Sequence, residues 1–214
     1  MSEAETRKAI IEKCIKMYND GLTQGTGGNV SVRADGGFLL TPSGMDYFRT
    51  EPSDIVKMAY DGSIISGERT PSIEKDMHRL ILNTRNDINA VVHTHSVYAT
   101  AVASTRKGIP PVTDNQVVIF GGEIPVAEYG RIGTEQLAVN VVKGLGEGKA
   151  VLMSNHGVLA VGKTLEEAVF NAEMTELFAQ IYILSSSIGG GRAFTEEEIR
   201  AEYDDVNARY GQKK

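Results

Sequence analysis

Histidine is scarce in this 214-residue chain, and two of the four fall in one hexapeptide, VVHTHS, Val91 to Ser96. In an extended strand successive side chains point to opposite faces, so His93 and His95 project together while Thr94 points away. Val91 and Val92 mark the strand as a buried one, where two imidazoles without partners would be costly. A metal ion gripped from one side would satisfy both. The plain alternative is a pair of surface histidines on a strand edge. His156 lies in LMSNHGVLAV, in a turn between two apolar stretches. Alone, a turn histidine is more often a solvated side chain. With His93 and His95 it would complete a three-imidazole set with a fourth position open, as in catalytic zinc sites. The single cysteine, Cys14, leaves no thiolates to close such a site.

Glu74, in TPSIEKDMH, falls in the first turn of an expected helix, where the macrodipole favours a carboxylate whether or not it does chemistry. His78 follows one turn later on the same face and reads as a residue behind the site or at the surface rather than as a ligand. The glycines of GTGGN either make a tight turn or let backbone amides approach an anion. With TPSG and PS elsewhere in the chain, the anion reading is the stronger one.

These groups must be positioned by alternating elements. Ile10, Cys14 and Met17 recur at helical spacing, predicting a first helix over residues 4 to 20. GLTQGTGGNVSVR breaks it and enters a strand, and GGFLLTPSG is a second. IVKMAYDGSIISG reads as a hairpin turning at Asp61-Gly62. TPSIEKDMHRLILNT reads as a helix with Pro71 in its first turn and a core stripe of Ile73, Met77, Leu80 and Ile81. The strand NAVVHTH follows, then a helix from about Ser96, a strand pair near QVVIFGG and EIPVAEY, and the helix GTEQLAVNVVKGL. AVLMSNHGVLAVG reads as two short strands. Two long helices close the chain, opened by Thr164 with Glu167 and by Thr195 with Glu198 as capping boxes. No repeat or linker interrupts residues 1 to 214, which read as a single α/β domain with helices covering a partly antiparallel sheet.

The net charge of −6 argues against a general nucleic-acid binder. One cysteine allows no intrachain disulfide, no stretch of about 18 apolar residues is present, and the charged N-terminus lacks a signal-peptide core. The expectation is a cytosolic protein without membrane or nucleic-acid partners.

GTGGNVSVR, TPSG, PSIE, VVHTHS and NHG, in this order and spacing, resemble the class II aldolase/adducin family, from the first helix to the C-terminal tyrosine. The resemblance implies a three-layer α/β/α fold with a central, largely antiparallel sheet, and a homotetramer with sites at subunit interfaces. It implies zinc held by His93, His95 and His156, with manganese, iron or cobalt as substitutes. Glu74 matches the glutamate that caps the metal in the empty enzyme and serves as acid/base once substrate displaces it. Gly28, Asn29, Ser43, Gly44 and Ser72 match the phosphate-binding positions, and Tyr210, in ARYG, matches a lid tyrosine and proton donor. Ile73 replaces a serine common after Ser72. Asp114 or Asn115 stands near the place of a tyrosine that reaches a neighbouring subunit's site.

The implied activity is reversible cleavage of a ketose 1-phosphate, L-fuculose 1-phosphate-like, to dihydroxyacetone phosphate and an aldehyde such as lactaldehyde. A divalent Lewis acid would hold the enediolate. Decarboxylation, dehydration and 4-epimerisation of related sugar phosphates are the neighbouring chemistries, although the epimerase typically carries aspartate at the position of Glu74. A non-catalytic, adducin-like interaction module and a metal-binding module without turnover are the other classes.

Overall fold

Ser2 starts the first helix, α1 (Glu3–Asn19). Its hydroxyl accepts from the Glu5 amide at 3.3 Å, and the Glu5 carboxylate accepts from the Ser2 amide at 2.7 Å. The helix buries Ile10, Cys14 and Met17. The computed structural model describes residues 2–209, and Tyr210 lies outside them.

A meander of β1 (Asn29–Ala34), β2 (Gly37–Leu40), β3 (Val56–Met58) and β4 (Ile64–Ser66) follows, with Gly62 at φ 94° in the last turn. Then come α2 (Lys75–Thr84), β5 (Ala90–Thr94), α3 (Val97–Ser104), α4 (Asp114–Phe120) and β6 (Val126–Ala127). The chain continues through α5 (Glu135–Leu145), β7 (Ala150–Met153), β8 (Gly157–Gly162), α6 (Leu165–Ser187) and α7 (Glu196–Arg209). Among the described residues the strands form one eight-stranded sheet in the order β4-β3-β2-β1-β5-β8-β7-β6. Every neighbouring pair is antiparallel except β6 with β7.

Strand alternation builds two cores, one on each face. Val30, Ala90, Val92, Val158 and Ala160 meet apolar side chains of α1, α3 and α6. Val91, Val151, Leu159 and Val161 meet those of α2 and α5. The fold is therefore a three-layer α/β/α sandwich. The register fixes what faces α2: Asn29 pairs with His93 and Ser31 with Val91, so these polar groups share the α2 side of the sheet.

Three elements differ from the sequence reading. The helix expected from TPSIEKDMHRLILNT begins only at Lys75, with Glu74 at its N-cap. Pro71 instead forms an isolated bridge with Pro42, which holds residues 71–74 out of the helix. Ile73 consequently leaves the core stripe and is 53% exposed, and Leu80 is only half-buried. The β-branched run in QVVIFGG is helical rather than a strand. Thr113 caps α4 by accepting from the Gln116 amide, and Gly121 at φ 76° ends it. The Gln116 side chain donates to the carbonyls of Ile109 and Gly122, so tertiary contacts override strand propensity. At α6, Glu167 reaches back to the Lys163 amide, one residue before the expected box partner. No helix among the described residues is long and apolar enough to cross a membrane.

Candidate active site

His93 is the last residue but one of β5, and His95 follows on the same side just past the strand's end, with ring centroids 4.7 Å apart. His156 arrives from the turn between β7 and β8, its ring 4.9 Å from His93 and 5.3 Å from His95. That turn depends on Asn155, which takes a left-handed conformation at φ 57°; asparagine tolerates this better than most residues. Gly157 then lets β8 pass close to β5, since a Cβ there would lie 2.4 Å from the Thr94 carbonyl oxygen.

The three histidines form a group whose ligand atoms all lie within 4.8 Å of one another. The Nε2 atoms of His93 and His95 are 2.9 Å apart. His93 donates from Nδ1 to the Val158 carbonyl at 2.8 Å, which leaves the lone pair on Nε2 facing the group. Nε2 of His156 is buried without a hydrogen-bond partner. Burial lowers the His93 pKa to about 3, with nearby His95 adding to the effect, and that of His156 to about 4. His95 is lowered as well, again chiefly by burial. All three are thus neutral near pH 7, the form a metal requires. A cluster of converging neutral imidazoles with one orphaned nitrogen fits a divalent ion.

Glu74 extends this cluster from the α2 side and is 4% exposed. Its Oε2 lies 3.2 Å from His93 Nε2, and its Oε1 lies 3.6 Å from His156 Nε2. Oε2 accepts from Asn29 Nδ2 at 2.8 Å, whereas Oε1 is buried with no hydrogen-bond partner. Behind Asn29 stands His78, fully buried, with contacts to Asn29 Oδ1 and Ser31 Oγ.

A cavity of about 230 Å³ opens beside these groups. Gly28, Asn29, Ser43, Gly44, Ser72, Glu74 and His95 line it, together with Thr26, Ile73 and Ile132. Every proposed phosphate-site position from the sequence reading therefore reaches one cavity. Gly28 sits at φ 75°, and a Cβ there would lie 2.7 Å from the His93 carbonyl oxygen, so the loop packs against β5 only as glycine. Ser72 also accepts from the Glu74 amide at 3.2 Å, which shapes the entry to α2. Asp114 and Asn115 open α4 and are not among the described residues lining the cavity. Ile132 escapes sequence reasoning because a lone isoleucine in a loop carries no motif. A larger depression, about 790 Å³, lies beside Arg49, Asp54 and Arg69, where Arg69 pairs with Asp54 at 2.7 Å; it includes no histidine.

Residues 8–183 match the family described as Class II Aldolase and Adducin N-terminal domain. A 5-deoxy-D-ribulose 1-phosphate aldolase of Bacillus thuringiensis serovar kurstaki is 41% identical over 196 residues, covering 90% of this chain and 91% of that protein. A 5-methylthioribulose-1-phosphate/5-deoxyribulose-1-phosphate aldolase of Escherichia coli is 40% identical over 183 residues, covering 86% of this chain and 85% of that protein. A solved L-fuculose 1-phosphate aldolase superposes with a TM-score of 0.92 at 36% identity, covering 97% of this chain and 98% of the other. The chain belongs to the class II aldolase and adducin family, on its aldolase side, whose members are metal-dependent lyases.

Proposed function

We propose that the chain reversibly cleaves a ketose 1-phosphate between C3 and C4, releasing dihydroxyacetone phosphate and an aldehyde. The observation that carries this reading is that one small cavity joins Glu74 and a histidine of the triad to Gly28, Asn29, Ser43, Gly44 and Ser72. His93, His95 and His156 would hold the ion, with Glu74 beside them in the absence of substrate. Three imidazoles without thiolate suit zinc and tolerate manganese, iron or cobalt. When bound, the ion supplies a Lewis acid for the electron pair freed as C3–C4 breaks.

The protein's own groups do the rest. The Asn29 amide, the backbone around Gly28 and Gly44, and the Ser43 and Ser72 hydroxyls anchor the phosphate and so position C3. Glu74 delivers a proton to C3 in cleavage and removes one in condensation. Tyr210 is proposed as the donor to the aldehyde oxygen in condensation. Ile73 and Ile132 are 53% and 50% exposed and give the cavity apolar walls that suit a methyl-terminated substrate. The named relatives point the same way, to a 5-deoxyketopentose 1-phosphate first and L-fuculose 1-phosphate second. A homotetramer belongs to the same reading, supported by Phe170, Leu177 and Leu184, which recur every seventh residue on α6 as exposed apolar groups.

The test is a screen of ketose 1-phosphates with the zinc-loaded protein, detecting both products. Cleaving the five-carbon substrate between C3 and C4 leaves acetaldehyde, and the six-carbon one leaves lactaldehyde. No dihydroxyacetone phosphate from any ketose 1-phosphate, carbon dioxide in place of the aldehyde, or a changed C4 configuration without cleavage would overturn the assignment.

A further inference from the structure

His78 takes no part in the mechanism above, yet it is a fully buried polar group whose ring nitrogens both have partners one step from the site. The sheet explains the arrangement. Asn29 and Ser31 are two residues apart on β1 and face α2, where His78 lies one turn after Glu74. Nδ1 of His78 is 2.6 Å from Ser31 Oγ, and Nε2 is 2.5 Å from the side-chain oxygen of Asn29.

Chemistry orients this chain of contacts. A carboxylate oxygen only accepts, so Asn29 must turn its NH₂ toward Glu74 Oε2, 2.8 Å away, and its carbonyl oxygen toward His78. That carbonyl also only accepts, so Nε2 of His78 must carry the hydrogen. Burial lowers the His78 pKa to about 3, so the ring is neutral and has one hydrogen to place. Nδ1 is then the acceptor, and the Ser31 hydroxyl donates to it. Every hydrogen points the same way, from Ser31 through His78 and Asn29 to Glu74. Rotating the Asn29 amide by half a turn would set two acceptors against each other at Glu74, and would force His78 to move its hydrogen to Nδ1 with the Ser31 hydroxyl turned from donor to acceptor.

We infer that His78 is a positioning residue that acts through Asn29, holding the Asn29 NH₂ toward the cavity and, through it, Oε2 of Glu74. Two consequences follow. Before substrate enters, pinning Oε2 holds Glu74 in the orientation from which it goes on to serve as acid/base, with Oε1 left without a hydrogen-bond partner. When Glu74 swings aside for substrate, an incoming phosphate, which also only accepts, takes the carboxylate's place at the end of the chain, so the same hydrogen-bond direction keeps the Asn29 NH₂ aimed at it. The inference rests on the acid/base reading of Glu74 for the first consequence alone.

The experiment compares metal-loaded wild type, His78→Leu and His78→Gln, with dihydroxyacetone phosphate as the probe. A glutamine side chain would keep an N–H near Asn29, whereas leucine keeps the bulk and removes the donor. His78→Leu is expected to raise KM for exchange of the C3 proton with deuterated water, and to lower its kcat, each by about tenfold. His78→Gln should restore most of both. In wild type, ¹⁵N NMR should show His78 protonated at Nε2 and bare at Nδ1, unchanged from pH 8 to pH 5. A proton on Nδ1 overturns the inference even if neither variant folds. So does His78→Leu that is less heat-stable but keeps wild-type KM and kcat, the behaviour of a purely structural histidine. The Glu74 reading fails separately, by undiminished exchange in Glu74→Gln, and that result leaves the tautomer and KM outcomes to judge His78.

Discussion

Replacing Gly157 with alanine tests whether the site is held by close packing of β8 against β5. The added Cβ would lie 2.4 Å from the Thr94 carbonyl oxygen, 3.0 Å from His95 Cδ2 and 3.3 Å from His93 Cε1. Ordinary contact begins at 3.4 Å, so the two strands would have to part by about 1 Å at this point. The obstacle is backbone and cannot rotate away, and both strands are tied into the sheet, Thr94 to Val158 and Met153 to Gly157. Overpacking of this kind costs about 1–3 kcal/mol, which for a chain of this size lowers Tm by about 2–12 °C. The functional effect is expected to be larger than the thermal one. The carbonyl belongs to Thr94, between the two strand histidines, and His156 immediately precedes the new methyl. A displacement of about 1 Å in a reacting constellation costs on the order of 10²-fold in rate. Calorimetry, elemental analysis and exchange of the C3 proton of dihydroxyacetone phosphate in deuterated water read stability, metal and chemistry in turn. Wild-type Tm, full metal content and an unchanged exchange rate in Gly157→Ala would refute the claim that this glycine sets the spacing of the histidines.

Glu74→Gln keeps the side chain's shape but cannot shuttle a proton, so exchange and turnover should fall about 10²–10⁴-fold while metal is retained; a loss confined to stability would leave Glu74 as an ordinary N-cap residue. His95→Ala should lose most of its metal in elemental analysis, because no thiolate is at hand and Cys14 is buried elsewhere. Ser72→Leu should weaken binding of a phosphorylated ketose by about one to two decades, corresponding to roughly 1.5–3 kcal/mol for a hydrogen bond to a charged group, with metal unchanged. The metal-free protein should lose stability on acidification. The pKa of His78 is lowered to about 3 by burial while the unfolded value is near 6.5, so between those values the unfolded chain holds the extra proton. From pH 8 to pH 5 this removes about 2 kcal/mol, with His93 and His156 acting in the same direction; urea unfolding of His78→Leu should show a pH dependence shallower by about that amount.

The strand histidines are legible because strand periodicity is local: a spacing of two puts His93 and His95 on one side in any buried strand. The elements with strong local signals are equally readable, such as the Asp61-Gly62 turn and the capping box of Thr195 with Glu198. Local signals mislead where distant groups compete. Val117, Val118 and Ile119 read as strand, but the Thr113 cap and the two carbonyls that Gln116 serves make them helix. Pro71 reads as part of a helix's first turn because its partner Pro42, 29 positions away, is invisible to any short window. That bridge delays α2 until Lys75, places Glu74 at its N-cap and turns Ile73 toward the cavity.

His78 shows the boundary most clearly. Its place one turn after Glu74 is a matter of helix pitch, but its burial and its role as a link depend on which strand lies beneath it. Only the register of β1 against β5 brings Asn29 and Ser31 under that ring. Hydrogen-bond direction is a property of the assembled set. Ser31, His78 and Asn29 can each donate or accept, and the choice is made only when a group that can do just one, the Glu74 carboxylate, closes the end of the chain.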